Sequence, residues 1–495
     1  MRKCMTFSSM IKCVSIQGAL ISRQMKTAHY LGRGTMSDYQ FSSLKLNPQL
    51  QDNLASLGFN SMTAIQAQSL PMILSGKDVI AQGQTGSGKT AAFGLGILNK
   101  LDAKVFKIQS LVLCPTRELA EQVSGEVRRL ARGIPNVKVA TLYGGTPIKA
   151  QASSLEKGVH IVVGTPGRIE DHLNKGTIDL SSMSTLVLDE ADRMLDMGFQ
   201  KTLEAIIDAV PSQRQTLLFS ATYPKGIKAI AETIMQNPSM AEVAPTQDTV
   251  RVEQAFFLVD NEKDRLQSLK LLLLDNSGKQ SVVFCNTRQD TQIVAGGLKS
   301  AGFSAAALHG DMEQKDRDQT LIRFSNSSIN VLVATDVAAR GLDIDVLALV
   351  FNYHLPRELE VYTHRIGRTG RAGEKGQACS LFQISEQFRV DQLETYLNTE
   401  IRPSDLPLVE LLSQTPDRPT MSTLRVEGGK RQKLRPGDLV GALTKAEEIS
   451  GNNIGKIQVL DNWAYIAVER PLAKVALKQL EQGKIKGKSF RARLI

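Results

Sequence analysis

Val79-Ile80-Ala81-Gln82-Gly83-Gln84-Thr85-Gly86-Ser87-Gly88-Lys89-Thr90 is the stretch that decides the fold of this 495-residue chain. A short apolar run ends in the spacing G-x-x-x-x-G-K-[ST] and passes directly into a helical stretch, 91–101. Glycines let consecutive backbone N–H groups turn inward around phosphates, and the following helix N-terminus adds a favourable dipole. Gly83, Gly86 and Gly88 are therefore candidates for cradling a nucleotide. Lys89 is placed to reach its β- and γ-phosphates, and Thr90 to ligate Mg²⁺. A chance glycine-rich turn would fit the letters alone, but not the order strand, loop, helix.

Working outward, compact β-rich runs recur at 111–114, 161–163, 186–188 and 216–219, each followed by polar or Gly/Pro punctuation. That pattern predicts parallel strands joined by crossover helices. It repeats with runs at 282–285, 331–334 and 347–351. The expected fold class is α/β, with two tandem RecA-like doubly wound parallel-sheet domains, at 37–245 and 250–402. The segment 414–419 is polar, carries two prolines and reads as a linker. Beyond it, strands at 423–427, 456–460, 465–468 and 489–494, with helices near 437–445 and 472–482, give the order β-α-β-β-α-β of an RRM-like domain at 415–495.

Ligands of such sheets bind at the carboxyl ends of the strands. Asp189-Glu190-Ala191-Asp192 lies there, after the run 185–188. Asp189 is expected to meet Mg²⁺ at the phosphate loop, and Glu190 to orient and deprotonate an attacking water. A charge cluster at a helix N-terminus is the bland alternative, and the phosphate loop upstream argues against it.

The net charge of +10 is concentrated at the two ends. Residues 1–35 carry +6 and residues 417–495 carry +8, leaving −4 for the middle. A basic C-terminal module points to a polyanionic partner, most simply nucleic acid. Residues 1–36 read as a disordered extension, with a composition that a transit peptide shares. Cys4, Cys13, Cys114, Cys285 and Cys379 lack metal-ligand or disulfide-framework spacing, and no apolar run approaches the roughly 20 residues of a membrane span. A cytoplasmic protein with reduced thiols is expected.

With these motifs in place, residues 41–400 resemble the DEAD-box ATP-dependent RNA helicases. The resemblance extends to Pro115-Thr116-Arg117-Glu118-Leu119, Gly144-Gly145, Thr165-Pro166-Gly167-Arg168 and Ser220-Ala221-Thr222. It continues through Asn286-Thr287, Ala334-Thr335-Asp336, Arg340-Gly341-Leu342-Asp343 and His364-Arg365-Ile366-Gly367-Arg368-Thr369-Gly370-Arg371. It implies an RNA-dependent ATPase using ATP and Mg²⁺. Gln66 would read adenine through both ends of its amide, with Phe41 as its aromatic partner; Ala64 stands where the family usually has Pro. Arg368 and Arg371 would be arginine fingers acting on the γ-phosphoryl group, with Lys89 and Glu190 as the other catalytic groups. Asp343 would contact the ribose. Ser220, Thr222, Asp192 and Arg365 would couple hydrolysis to RNA handling and domain closure. The implied RNA-backbone contacts are Arg117, Gly145, Thr165 and Arg168 in the first domain. In the second they are Asn286, Thr287, Gln314, Arg317, Thr335 and Gly341.

The basic runs 428–438 and 483–488 resemble the bacterial DbpA branch, which implies binding to large-subunit ribosomal RNA and a role in ribosome assembly, as a monomer. Lys430, Arg431, Lys433, Arg435, Lys484, Lys486 and Lys488 are the candidate contacts. Strand 423–427 has no aromatic for base stacking, so Trp463 and Tyr465 are the nearest candidates, and one of them can be core. The competing readings are a non-enzymatic RNA clamp or chaperone on the same fold, and a DNA translocase.

Overall fold

The computed structural model describes residues 39–83, 86–223, 225–243, 252–339, 347–370, 376–446 and 448–495. The chain forms two compact units, residues 1–245 and 246–495.

The first unit holds a seven-stranded sheet: β1 (Val79–Gln82), β2 (Ser110–Leu113), β3 (Val139–Leu142), β4 (Ile161–Gly164), β5 (Thr185–Asp189), β6 (Gln215–Ser220) and β7 (Ser239–Glu242). Its order is β3-β4-β2-β5-β6-β1-β7, every pair parallel. The central strands are buried along their whole length because helices cover both faces, which is why they read as unbroken apolar runs. One face packs Val79, Ala81, Val187 and Phe219, the other Ile80, Leu186, Leu188 and Leu218. The order sets β5, β6 and β1 side by side, with Asp189 level with Phe219 and Gln82 level with Ser220. The phosphate loop, the carboxylates and Ser220 thus leave the same edge of the sheet.

In the second unit, β8 (Val252–Leu258), β9 (Ser281–Cys285), β10 (Ala305–Leu308), β11 (Val331–Thr335), β12 (Leu349–Asn352) and β13 (Gly376–Phe382) form a parallel sheet. Its order is β10-β11-β9-β12-β13-β8. The remaining strands, β14 (Met421–Val426), β15 (Ile454–Val459), β16 (Ala464–Glu469) and β17 (Ala492–Leu494), make an antiparallel sheet in the order β15-β16-β14-β17. Helices Pro436–Leu443 and Ala473–Gln482 cover one face of it. This is the RRM-like arrangement expected from the sequence.

Five strands escaped the sequence reading: β3, β7, β8, β10 and β13. Ala305-Ala306-Ala307-Leu308 has almost no β-branched content, and β3 and β7 lie at sheet edges where burial alternates. The segment 414–419 is a packed connection and not a loose tether. Pro416 and Pro419 are buried, and Asp417 accepts hydrogen bonds from Ser277 Oγ at 2.8 Å and Asn330 Nδ2 at 3.2 Å.

Candidate nucleotide and RNA sites

The phosphate loop closes on its own lysine. Gly86 and Gly88 adopt φ of 86° and 90°, a region that favours glycine. The loop passes into helix Lys89–Lys100, and Lys89 Nζ donates to the Gly83 carbonyl at 2.7 Å. The Gly83 N–H donates to the Ser220 carbonyl at 3.0 Å, which ties the loop to the end of β6. Thr90 follows in the first helical turn, partly exposed.

Gln66 braces this loop from the neighbouring helix, Ala64–Leu74. Its Oε1 accepts from the Thr63 N–H at 2.9 Å, its Nε2 donates to the Gly88 carbonyl at 3.0 Å, and Thr63 Oγ1 donates to the Ser87 carbonyl at 2.7 Å. A Cβ on Gly88 would lie 2.5 Å from Gln66 Nε2, so only glycine admits this contact. The helix starts normally at Ala64 because the Gln66 amide satisfies its N-terminal backbone. Phe41 is buried and meets Phe59 edge-on, with ring centroids 6.0 Å apart.

Asp189 ends β5 and is buried. Burial, then the neighbouring Glu190 charge, pushes its carboxyl up to about 7, against the pull of Lys89. Such a carboxyl is short of positive charge, and a divalent cation would supply it. Among the described residues no cluster of three or more His, Cys, Asp or Glu forms a protein-only metal cage. Glu190 stands in the left-handed region, φ 52°, which turns its side chain out of the strand line. There its Oε2 is held by Arg193 Nη1 at 2.6 Å, both side chains being nearly fully buried. Arg193 was missed in the sequence, although it lies only three residues downstream.

Asp192 gathers the segment 220–222. Its Oδ2 accepts from the N–H groups of Ala221 and Thr222, at 3.2 and 3.0 Å, and from Thr222 Oγ1 at 3.0 Å. Burial pushes its carboxyl up, but the Thr222 and Ser220 donors and the Arg193 charge together outweigh it and leave it below the ordinary value. With the Ser220 carbonyl on Gly83, one continuous set of bonds runs from the carboxylate loop through 220–222 to the phosphate loop.

The first-unit RNA candidates also converge. Gly145 has φ 84°, and a Cβ there would collide with Arg117 Nη1, so the turn 143–146 lies directly on the Arg117 guanidinium. Thr165 donates its N–H to Leu142 O at 3.0 Å, and Arg168 Nη1 donates to Thr146 O at 3.0 Å.

In the second unit, Asn286 and Thr287 follow β9, and Thr335 ends the adjacent β11. Thr287 caps helix Arg288–Ser300, accepting the Asp290 N–H at 3.1 Å. Gln314 opens helix Gln314–Ser325 and donates to Asp318 at 2.8 Å; Arg317 lies a turn later, donating to His309 O at 3.3 Å. Arg368 is largely buried. Gly341, Asp343 and Arg371 lie outside the described residues.

Arg365 lies at the centre of a side-chain network. It is buried, and all five of its N–H donors are used inside its own unit. Asp336 takes Nε at 2.6 Å and Nη2 at 2.8 Å, Asn352 Oδ1 and His354 O take Nη1, and Asn286 Oδ1 takes Nη2 at 3.0 Å. These bonds tie Asn286 to the ends of β9, β11 and β12. Arg365→Met strands the Asp336 carboxylate and should lower stability by about 3 kcal/mol. Urea unfolding of the full chain is the measurement; an unchanged transition would show the network to be dispensable.

The C-terminal domain joins its two basic loops. Lys486 Nζ donates to the Lys433 carbonyl at 3.0 Å and pairs with Asp438 at 3.1 Å. Lys430 and Arg431 fix their turn to the β15–β16 hairpin through the carbonyls of Leu460 and Asp461, at 2.8 and 3.0 Å. The side chains of Lys430, Arg431, Lys433, Arg435, Lys484, Lys486 and Lys488 are exposed.

The open face of its sheet, by contrast, is covered. Thr423 is buried, bonded to Ser328 Oγ at 2.7 Å and Asn326 Nδ2 at 3.2 Å of the second sheet domain. Arg425 is buried too, with its guanidinium 4.3 Å from the Trp463 ring centroid and its Nη1 on Gln319 at 3.4 Å. Lys315 lies 5.9 Å from the same ring, and Tyr465 is buried. Both aromatic candidates therefore serve this docked face.

Comparison with known proteins finds three matching family profiles. Residues 63–230 match the family profile described as DEAD/DEAH box helicase, 264–373 the helicase conserved C-terminal domain, and 423–494 the DbpA RNA binding domain. The ATP-dependent RNA helicase DbpA of Escherichia coli (strain K12) is 50% identical over 460 residues, spanning 92% of this chain and 99% of that protein. DbpA of Bacillus subtilis (strain 168) is 36% identical over 472 residues, 91% of this chain and 98% of that protein. A solved structure of S. cerevisiae Dbp5 bound to RNA and ADP BeF3 is 29% identical with a TM-score of 0.67, covering 76% of this chain and all of that one.

Proposed function

Because the chain belongs to the DEAD-box ATP-dependent RNA helicases, in their DbpA branch, we propose that it remodels large-subunit ribosomal RNA during ribosome assembly, as a cytoplasmic monomer using Mg²⁺-ATP. The chain is an RNA-dependent ATPase and helicase. No helix among the described residues is long and apolar enough to cross a membrane.

The chemistry follows from the residues. Lys89 and the loop N–H groups hold the phosphates, and Gln66, whose amide makes one donor and one acceptor bond among the described residues, reads adenine beside Phe41. Thr90 and Asp189 would hold Mg²⁺, which when bound would neutralise charge on the transferring phosphoryl group. Glu190 takes the proton of the attacking water. Arg368 and Arg371 meet the charge developing on the γ-phosphoryl group, and Asp343 orients the ribose. Bound RNA favours the state in which all these groups act together. Asp192, Ser220 and Thr222 link that state to RNA held along Arg117, Gly145, Thr165, Arg168, Asn286, Thr287, Gln314, Arg317, Thr335 and Gly341. These groups grip phosphates and 2′-hydroxyls, so they carry little sequence information.

Selection of ribosomal RNA is assigned to the C-terminal domain. The observation that carries this reading is the pairing of a covered sheet face with two joined basic loops, which leaves the exposed loop edge as the RNA-reading surface. Replacing Lys430, Arg431, Lys433 and Arg435 with Ala should weaken binding to ribosomal RNA and lower the slope of log K against log salt by about 3. RNA-saturated ATPase should persist. Competition between ribosomal and random RNA at several salt concentrations tests this. An unchanged preference and slope would move selection into the two sheet domains.

A further inference from the structure

Gln151 is the one residue that helix Ile148–Glu156 buries, an unusual choice for a helix face turned inward. Its amide is fully used. Nε2 donates to the Tyr143 carbonyl at 3.0 Å and Thr146 Oγ1 at 2.7 Å. Oε1 accepts from Arg168 Nη1 at 2.8 Å and lies 3.1 Å from His172 Nε2. The amide cannot be turned over, because Nε2 would then face the Arg168 donors.

The imidazole is fixed in turn. His172 is fully buried, and burial, then the Arg168 charge, holds it below the ordinary histidine value. Because Gln151 Oε1 is an acceptor, the proton shared with it belongs to His172 Nε2, and Nδ1 lies 2.7 Å from the Thr177 hydroxyl oxygen. A chain of bonds runs from the interior through one amide to two separate surface features: the turn carrying Gly145, and the guanidinium of Arg168.

We propose that Gln151 is a positioning residue for RNA, setting the distance and orientation between the Gly145 turn and Arg168 so that both meet one RNA backbone. It touches no substrate itself. The proposal rests on the reading that Arg168 contacts RNA, so Arg168→Ala is measured alongside.

The experiment uses the full chain and a single-stranded RNA, and reads the RNA concentration for half-maximal ATPase, the turnover at saturating RNA and the KM for ATP. Gln151→Met, close in volume but without hydrogen bonds, should raise the RNA half-point about tenfold. Saturated turnover and the KM for ATP should stay within twofold. Gln151→Glu keeps the acceptors for Arg168 and His172 but loses both donors, and should fall between Met and wild type; it also serves as the folded variant if Met proves unstable. The Gln151→Met, Arg168→Ala double variant should lose less than the product of the two single effects, because both act through one guanidinium.

If Arg168→Ala weakens RNA use and neither Gln151 variant does, the proposal is overturned while the RNA reading stands. If Arg168→Ala leaves the RNA half-point unchanged, the reading of Arg168 falls and the proposal with it. If the Gln151 variants raise the KM for ATP as much as the RNA half-point, the residue is a general structural support and the proposal is likewise overturned.

Discussion

Glu190→Gln should cut RNA-stimulated ATP turnover by about 10²- to 10⁴-fold, the range for loss of a positioned general base, while ATP and RNA still bind. The substitution removes the group that takes the proton and little else. Gln can still accept from Arg193, so the buried guanidinium 2.6 Å away keeps a partner. Asp189 remains for the metal, Lys89 for the phosphates. The check is single-turnover hydrolysis with saturating RNA, next to equilibrium binding of a fluorescent ATP analogue. Turnover near the wild-type rate would remove Glu190 from the role of base.

Arg368→Ala should lower the same turnover by roughly 10³-fold, since an arginine placed on a transferring phosphoryl group is worth about 10³ to 10⁵. Affinity for ATP should change by only a few-fold, because the phosphate loop belongs to the other unit of the chain. Arg368→Lys should not rescue, as a point charge lacks the planar fork. The check is steady-state ATPase across ATP concentrations, separating kcat from KM. A variant whose loss appears in KM with kcat intact would make Arg368 a ground-state binding group.

The motifs of the nucleotide site were legible because each is a run of neighbours in sequence: 83–90, 189–192 and 220–222 all leave the β5–β6–β1 edge of one sheet. Residues that support them from a distance were not. Arg193 follows the carboxylates closely, but nothing local says that an arginine there turns back onto Glu190. Gln151 is six residues beyond Gly145, and its partners at 143, 146, 168 and 172 come together only once β3 and β4 pair. Arg365 read as a group that supports domain closure, but its partners at 286, 336, 352 and 354 are scattered in sequence, so the network they form within the second unit was not legible. The strand Ala305–Leu308 was invisible because burial between helices and β11, and not its own composition, makes it a strand.

The covered sheet of the C-terminal domain has a consequence for how the molecule can be re-engineered. Thr423 and Arg425 are locked to Ser328, Asn326 and Gln319, and the connection at 416–419 is packed down. This is a keyed joint and not a module on a string. Grafting residues 420–495 onto another helicase core would transfer the basic loops, and with them affinity, but the grafted domain would point its RNA in no fixed direction. To carry over the bearing as well, the recipient needs the mating half: a Ser and an Asn beneath Thr423, and a Gln within reach of Arg425.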